Sequence, residues 1–417
     1  MQILNYSSVN ETLYKYTHKS GLRVFMVKKP GFTKSAAYLA THFGSINNTF
    51  IPFGKTDKIT VPDGIAHFLE HKMFEMPDNS NVFDMFGKFG ANANAFTSFN
   101  MTSYYFWCTQ NFKENLKTLV NFVQTPHFTP ENVEKEQGII GQEIRMYDDD
   151  PGWTCFFNML CGLYQKHPIS IDIAGTKESI AEITDQILYT CYNTYYHPSN
   201  MTLCLAGDFD VHDMKNYIDT IAAPLSPQPP VQSFLPDEPD DTTQKLIVKN
   251  MSVAQPLYSI GFKHTAPTLC AKTTLAAKIA LNMFIGKTSD LYNKLYLEGL
   301  ITPNFGFDYE CDSTYAFSSI SDEGIDGEII ATRITEALKN FEINPDDFEL
   351  LKRKLFGQSL YKFNDPEHYA LEMSRSYTIG EDMFAVYDAF DKISIGDIKN
   401  IFETHLTENN MTISIVK

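Results

Sequence analysis

Six prolines, Pro224, Pro227, Pro229, Pro230, Pro236 and Pro239, fall within residues 222–243, with acidic residues between them. Proline fixes φ and removes a backbone donor, so a run this dense can neither hold a helix nor join the middle of a sheet. It reads as an extended linker. Before it, apolar periodicity and turn residues predict strands at 22–27, 36–43, 95–107 and 201–206. Helices are predicted from 64 to about 74 and at 81–89, 113–122, 131–150, 155–164, 184–195 and from 210. After it the pattern begins again, with strands at 245–248, 256–264, 305–310, 315–321 and 411–416. The accompanying helices are at 269–285, 289–298, within 326–340, and at 345–363, 370–379 and 396–405. Repetition of one strand and helix succession predicts a duplicated α+β unit. The expected fold is two homologous halves, each a mostly antiparallel sheet packed with helices. The domains are residues 1–222, a linker 223–243, and residues 244–417.

Composition narrows the function classes. The chain has 417 residues, 43% of them hydrophobic, enough for two or three well-filled cores. A formal net charge of −17 argues against a phosphate backbone or an anionic membrane as partner. No apolar run approaches the length of a membrane span, and the first residues have neither a basic nor an apolar signal region. Seven cysteines without a Cys-x-x-Cys pair read as buried apolar residues in a reducing compartment. The expectation is a cytoplasmic protein with no nucleic acid and no membrane partner.

The chemistry concentrates in Gly64-Ile65-Ala66-His67-Phe68-Leu69-Glu70-His71. On a helix, residues four apart stack on one face, so His67 and His71 can grip one metal ion from successive turns. Glu70 lies about 100° around the helix from His71, within reach of a water beside that metal. Adding a carboxylate from elsewhere would give the open His2Glu zinc site used for hydrolysis. His-x-x-Glu-His is the zinc-peptidase motif in inverted order. A plainer reading is a surface helix with two solvated histidines, but Phe68 and Leu69 make the helix packed. The carboxylate would come from residues 131–150, a helix with an apolar stripe of Val133, Ile139, Ile140, Ile144 and Tyr147. Glu136 and Glu143 lie two turns apart beside that stripe. From the residues alone they are equally two ordinary solvated glutamates. Lone His127, His167 and His197 beside Pro or aromatic residues read as structural.

Taken together, these motifs resemble the pitrilysin/insulinase zinc peptidases, including the mitochondrial-processing-peptidase type. The resemblance rests on Gly64 to His71, on Glu136 and Glu143, and on Asn94-Ala95-Phe96-Thr97. The run Ile173-Ala174-Gly175-Thr176 and Tyr196-His197-Pro198-Ser199-Asn200-Met201 extend it. It implies one zinc per chain held by His67, His71 and Glu143, with Glu70 as general base and Glu136 supporting a ligand. The stretch from His71 to Glu143 is a few residues shorter than is usual in the family, which a shortened loop accommodates. The resemblance further implies that substrate lies along an edge strand at Asn94, Ala95 and Phe96, by β-augmentation.

One departure bears on assembly. Self-sufficient family members carry an Arg and a Tyr after a Ser-x-Leu helix; here the matching positions hold Tyr296 and Thr302. That pattern is similar to the bacterial YmfH-like zinc-bearing subunits, and implies a metal-free homologous partner supplying the missing pair in a heterodimer. The expected function is a zinc-dependent endopeptidase acting on peptides or unfolded segments. The rival is a non-catalytic peptide-binding or scaffold subunit, whose metal motif would be broken. An aminopeptidase-like trimming enzyme would need an anchor for the substrate amine, and none is visible.

Overall fold

The computed structural model describes residues 1–417 except 79, 266–269 and 325–326. Among the described residues fourteen strands form. They are β1 (Gln2–Tyr6), β2 (Glu11–Thr17), β3 (Arg23–Lys28), β4 (Ser35–Thr41), β5 (Thr49–Phe50), β6 (Ile59–Thr60) and β7 (Ala91–Thr97). The others are β8 (Thr102–Cys108), β9 (Met201–Gly207), β10 (Leu246–Lys249), β11 (Leu257–Lys263), β12 (Gly306–Cys311), β13 (Ala316–Glu323) and β14 (Met411–Val416).

A seven-stranded sheet has the order β1-β2-β3-β9-β4-β8-β7 and a five-stranded sheet the order β10-β14-β11-β13-β12; β5 and β6 make a separate ribbon. Without the N-terminal hairpin β1–β2, both sheets arrange their strands first, fifth, second, fourth, third along the chain. In each, the first and fifth strands run parallel, β3 with β9 and β10 with β14. The other neighbours are antiparallel. Such a permutation, repeated with the same strand directions, is the duplication that the sequence pattern implies.

Two compact units are built on these sheets. One comprises Met1–Ile144, Asp172–Leu235 and Leu360–Phe384; the other Arg145–Ile171, Pro236–Ser359 and Ala385–Lys417. The compact bodies therefore interleave along the chain, and the division at 1–222 and 244–417 stands as a proposal for the repeats. In the first unit, β9 is buried at all its positions, which explains why it reads as an apolar run rather than an alternation. The helix Pro366–Thr378 packs on β4 and β9. Phe25 stacks on Tyr377 with centroids 3.9 Å apart. Arg23 donates to the carbonyls of Tyr377 and Thr378 at 2.8 and 3.2 Å, where a helix C-terminus favours a cation. In the second unit, the helix Pro151–Leu163 packs in the same way on β11 and β14.

Two expectations needed revision. The single strand at 95–107 is a hairpin, β7 and β8, because Ser98 and Asn100 make a turn in which Ser98 N–H donates to the Met101 carbonyl at 2.8 Å. The helix Ala385–Lys392 and the hairpin β1–β2 had no counterpart in the sequence reading. The helices expected at 269–285 and within 326–340 are Ala271–Ile285 and Gly327–Lys339, residues 269 and 326 lying outside the described residues. The proline-rich stretch has no helix or regular strand, yet it is pinned within the second unit by Glu238. Backbone N–H groups of Gln165, Lys166 and His167 donate to that carboxylate at 2.9, 2.8 and 2.8 Å. The buried Lys263 pairs with it at 2.5 Å. Burial alone would raise the Glu238 carboxyl, but Lys263 and the three N–H groups hold it below the usual range.

Candidate metal centre

The first unit carries the histidine helix, Ile65–Lys72, buried along all its length except at His71. It begins at Gly64, whose φ of 86° is left-handed and open to glycine at no steric penalty. A Cβ at Gly64 would lie 2.3 Å from the Ala174 carbonyl oxygen, and one at Gly175 would lie 2.5 Å from that of Asp63. Ser179 Oγ also donates to the Asp63 carbonyl at 2.8 Å. The run Ile173-Ala174-Gly175-Thr176 thus serves as the seat on which the helix starts.

The glutamate helix, Pro130–Asp148, supplies the facing groups. Asn132 fixes its first turn by accepting from Thr129 N–H and donating to the His127 carbonyl. Gln137 anchors its middle by donating to the Ile183 carbonyl at 3.0 Å. Glu136 and Glu143 are then brought against His71 from its two sides. Glu136 Oε1 lies 3.1 Å from Nδ1, and Glu143 Oε2 lies 3.5 Å from Nε2. A carboxylate only accepts, so Nδ1 carries the proton and Nε2 presents its lone pair. Glu143 Oε1 lies 3.7 Å from His67 Nε2.

His67, His71 and Glu143 offer ligand atoms all within 4.8 Å of one another, the one such group among the described residues. Separations of 3.5 and 3.7 Å are too long for good hydrogen bonds. They are close to the edge, about 3.3–3.4 Å, of a tetrahedron of ligands each about 2.0–2.1 Å from zinc. Two imidazoles and one carboxylate are also the donor types that zinc takes in open hydrolytic sites. The residues present therefore fit the ion.

The electrostatics divide the two histidines, since a metal on Nε2 of His71 would have to displace the proton that its acidic neighbours favour. Burial, then the neighbouring His71, push His67 down to about 4, so it is neutral and ready to ligate. Burial also opposes the charged form of His71, but the Glu136 hydrogen bond and the charges of Glu70, Glu136 and Glu143 outweigh it and raise His71. Burial pushes Glu70 up to about 7, against the Thr97 hydrogen bond and the charge of His71, which lower it. Glu70 is near enough to His71 and Glu143 to feel their charges, and Thr97 Oγ1 donates to its Oε2 at 2.6 Å.

Asn94, Ala95 and Phe96 lie on β7, the last strand of the seven-stranded sheet, paired with β8. Asn94 is exposed, and Ala95 and Phe96 are partly so. The sequence reading missed two residues at this site. Thr97 is two positions beyond Ala95 on the same face of β7, which period-two alternation makes available to the histidine helix. Lys72 is a charged residue at a fully buried position. A cavity of about 620 Å³ opens beside His71 and Glu136, lined among others by Phe74, Phe83 and His127.

A duplicated α+β frame presenting an inverted His-x-x-Glu-His helix to a glutamate helix is the design of an inverzincin-type peptidase domain. Comparison with known proteins makes the assignment particular. Residues 23–177 match the family described as insulinase (peptidase family M16), and residues 182–355 match the peptidase M16 inactive domain. The chain is 38% identical to a Bacillus subtilis (strain 168) protein named uncharacterized zinc protease YmfH, over 98% of this chain and 97% of that one. It aligns with a crystal structure described as an M16-like peptidase from Alicyclobacillus acidocaldarius, with a TM-score of 0.93 and 32% identity over 99% of both chains. A protease from Helicobacter pylori shares the fold, with a TM-score of 0.83 at 18% identity over 97% of this chain and 99% of that one. The chain belongs to the insulinase (M16) family of peptidases.

Proposed function

We propose that this chain is a zinc-dependent endopeptidase that hydrolyses peptides or unfolded segments. The observation that carries the reading is the convergence of His67, His71 and Glu143 on one point, with the buried carboxylate of Glu70 beside them. His67 and His71 would hold one zinc through Nε2, and Glu143 through its carboxylate. When bound, zinc supplies Lewis acidity that polarises a peptide carbonyl and acidifies a water. Glu70 is the general base: with Oε2 held by Thr97, Oε1 takes the proton of the attacking water and passes it to the leaving amine nitrogen. Glu136 fixes the tautomer and tilt of His71. The backbone of β7 at Asn94, Ala95 and Phe96 receives the substrate as an added strand, supported by its place at the sheet edge.

The catalytic unit is a heterodimer with a metal-free homologous chain, because Tyr296 and Thr302 stand where an Arg and a Tyr would serve the substrate. It works in the cytoplasm; no helix among the described residues is long and apolar enough to cross a membrane. The direct test combines metal analysis and product mapping on unstructured peptides. About one zinc per chain is expected, lost in His67→Ala and in Glu143→Gln, with cleavage at internal bonds that a chelator stops and zinc restores. Stoichiometric zinc persisting in both variants would overturn the site, and products confined to single terminal residues would overturn the endopeptidase reading.

A further inference from the structure

Lys72, the last residue of the histidine helix, is fully buried. A buried ammonium persists only among acceptors that replace water. Lys72 Nζ has three. Glu75 Oε2 lies 2.6 Å away, the Asn132 carbonyl 3.1 Å, and Glu136 Oε2 3.8 Å. The other oxygen of Glu136 accepts from His71 Nδ1 at 3.1 Å. The Glu136 carboxylate, itself buried, thus spans from the ammonium of one residue to the imidazole of the residue before it. Asn132 and Glu136 are four apart on the glutamate helix, so a single cation grips both that helix's backbone and its inward side chain.

We propose that Lys72 is a positioning residue whose ammonium fixes the Glu136 carboxylate, so that His71 keeps its Nδ1 proton and turns Nε2 toward His67 and Glu143. The inference rests on the zinc reading above. It adds a third layer to the site: ligand, hydrogen-bonded carboxylate, and the cation that orients the carboxylate. At 3.8 Å the contact with Glu136 is an electrostatic clamp rather than a hydrogen bond. A purely structural Lys72 would neutralise Glu75 and nothing more, and the two roles make different predictions.

The experiment is a double-mutant cycle on the full chain, read as the zinc dissociation constant by chelator competition. Lys72→Met keeps the length of the stem and removes the charge; Glu136→Gln removes its target. Each single variant should bind zinc about 10–100-fold more weakly, and the double variant no more weakly than Glu136→Gln alone, because the two act as one unit. Glu75→Gln breaks the other ion pair of Lys72 and should leave zinc affinity unchanged. Additive losses in the cycle, or a loss in Glu75→Gln equal to that of Lys72→Met, would overturn the proposal. So would wild-type affinity in Lys72→Met while His71→Ala has lost the metal. Undiminished zinc binding in His71→Ala would instead bring down the metal site itself, and Lys72's role with it. Should circular dichroism show Lys72→Met unfolded, Lys72→Gln keeps a donor without the charge. It should show the same Glu136-dependent loss, and wild-type affinity there refutes the idea.

Discussion

Glu70 is buried beside the metal group with one oxygen held by Thr97. Burial alone favours its neutral form, and the charge of an ion at His67, His71 and Glu143 would favour the carboxylate again. A carboxylate poised in this way is suited to accept a proton and give it back near neutral pH. Glu70→Gln keeps the shape and removes the basicity, so zinc content should stay at the wild-type level while peptide hydrolysis falls by about 10²–10⁴. Metal analysis alongside a peptide assay checks this; a variant without zinc would make Glu70 a ligand. His67, Glu70 and His71 were legible in the sequence because their chemistry is local, written in one helical turn. Glu143 and Glu136 needed the family resemblance, since several carboxylates crowd their helix. Thr97 was within a quoted motif but had no visible purpose, because its partner is 27 residues away in sequence.

Among the elements, the linker departs furthest from its sequence appearance. Its prolines announce extended chain correctly, but its acidic residues look solvated, and one of them is the anchor described above. Glu238 meets backbone donors about seventy residues earlier in the chain and a lysine on β11, and no local pattern marks it out from Asp237 or Asp240. Glu238→Gln should lower folding stability at pH 7 by about 3 kcal/mol, read by chemical denaturation. Its pH dependence has a definite sign. A carboxyl depressed in the folded state contributes stability that is present above its unfolded value, about 4.5, and is lost as pH falls through the lower folded value. The gap between wild type and variant should therefore close in acid; a gap that widens there would contradict the anchor. The β7–β8 hairpin teaches the complementary lesson. Aromatic and β-branched residues on both sides of Ser98 and Asn100 made two strands look like one, so the strand content was legible and the turn was not.

For the whole molecule, two repeats were readable from order alone, and the two sheets share one strand order once the unforeseen β1–β2 hairpin is set aside and β7 is separated from β8. The proposed heterodimer turns on Tyr296 and Thr302. Thr302 is committed to the frame: its N–H and Oγ1 both donate to Asp322 at 2.6 Å. Tyr296 is half exposed and stacks on Tyr292. Neither supplies the fixed charge and planar fork of an arginine, and losing one oxyanion donor typically lowers rate by about 10²–10³. The isolated chain should thus turn over unstructured peptides at no more than a few per cent of the rate reached with an Arg/Tyr-bearing metal-free relative. Full turnover from the chain alone, unchanged by that relative, would sink the heterodimer.

The helix Pro366–Thr378, which covers β4 and β9, also sets an order of events on the ribosome. The last strand of the seven-stranded sheet is made by Gly207, yet this cover is not complete until Thr378. At about 5–20 residues per second, the nascent sheet waits on the order of 10–30 s with its central strands bare on that face. An N-terminal fragment ending in the linker would never receive the cover, although it contains the entire metal group. The gene cannot be cut at its most obvious seam without leaving the seven-stranded sheet uncovered on one face.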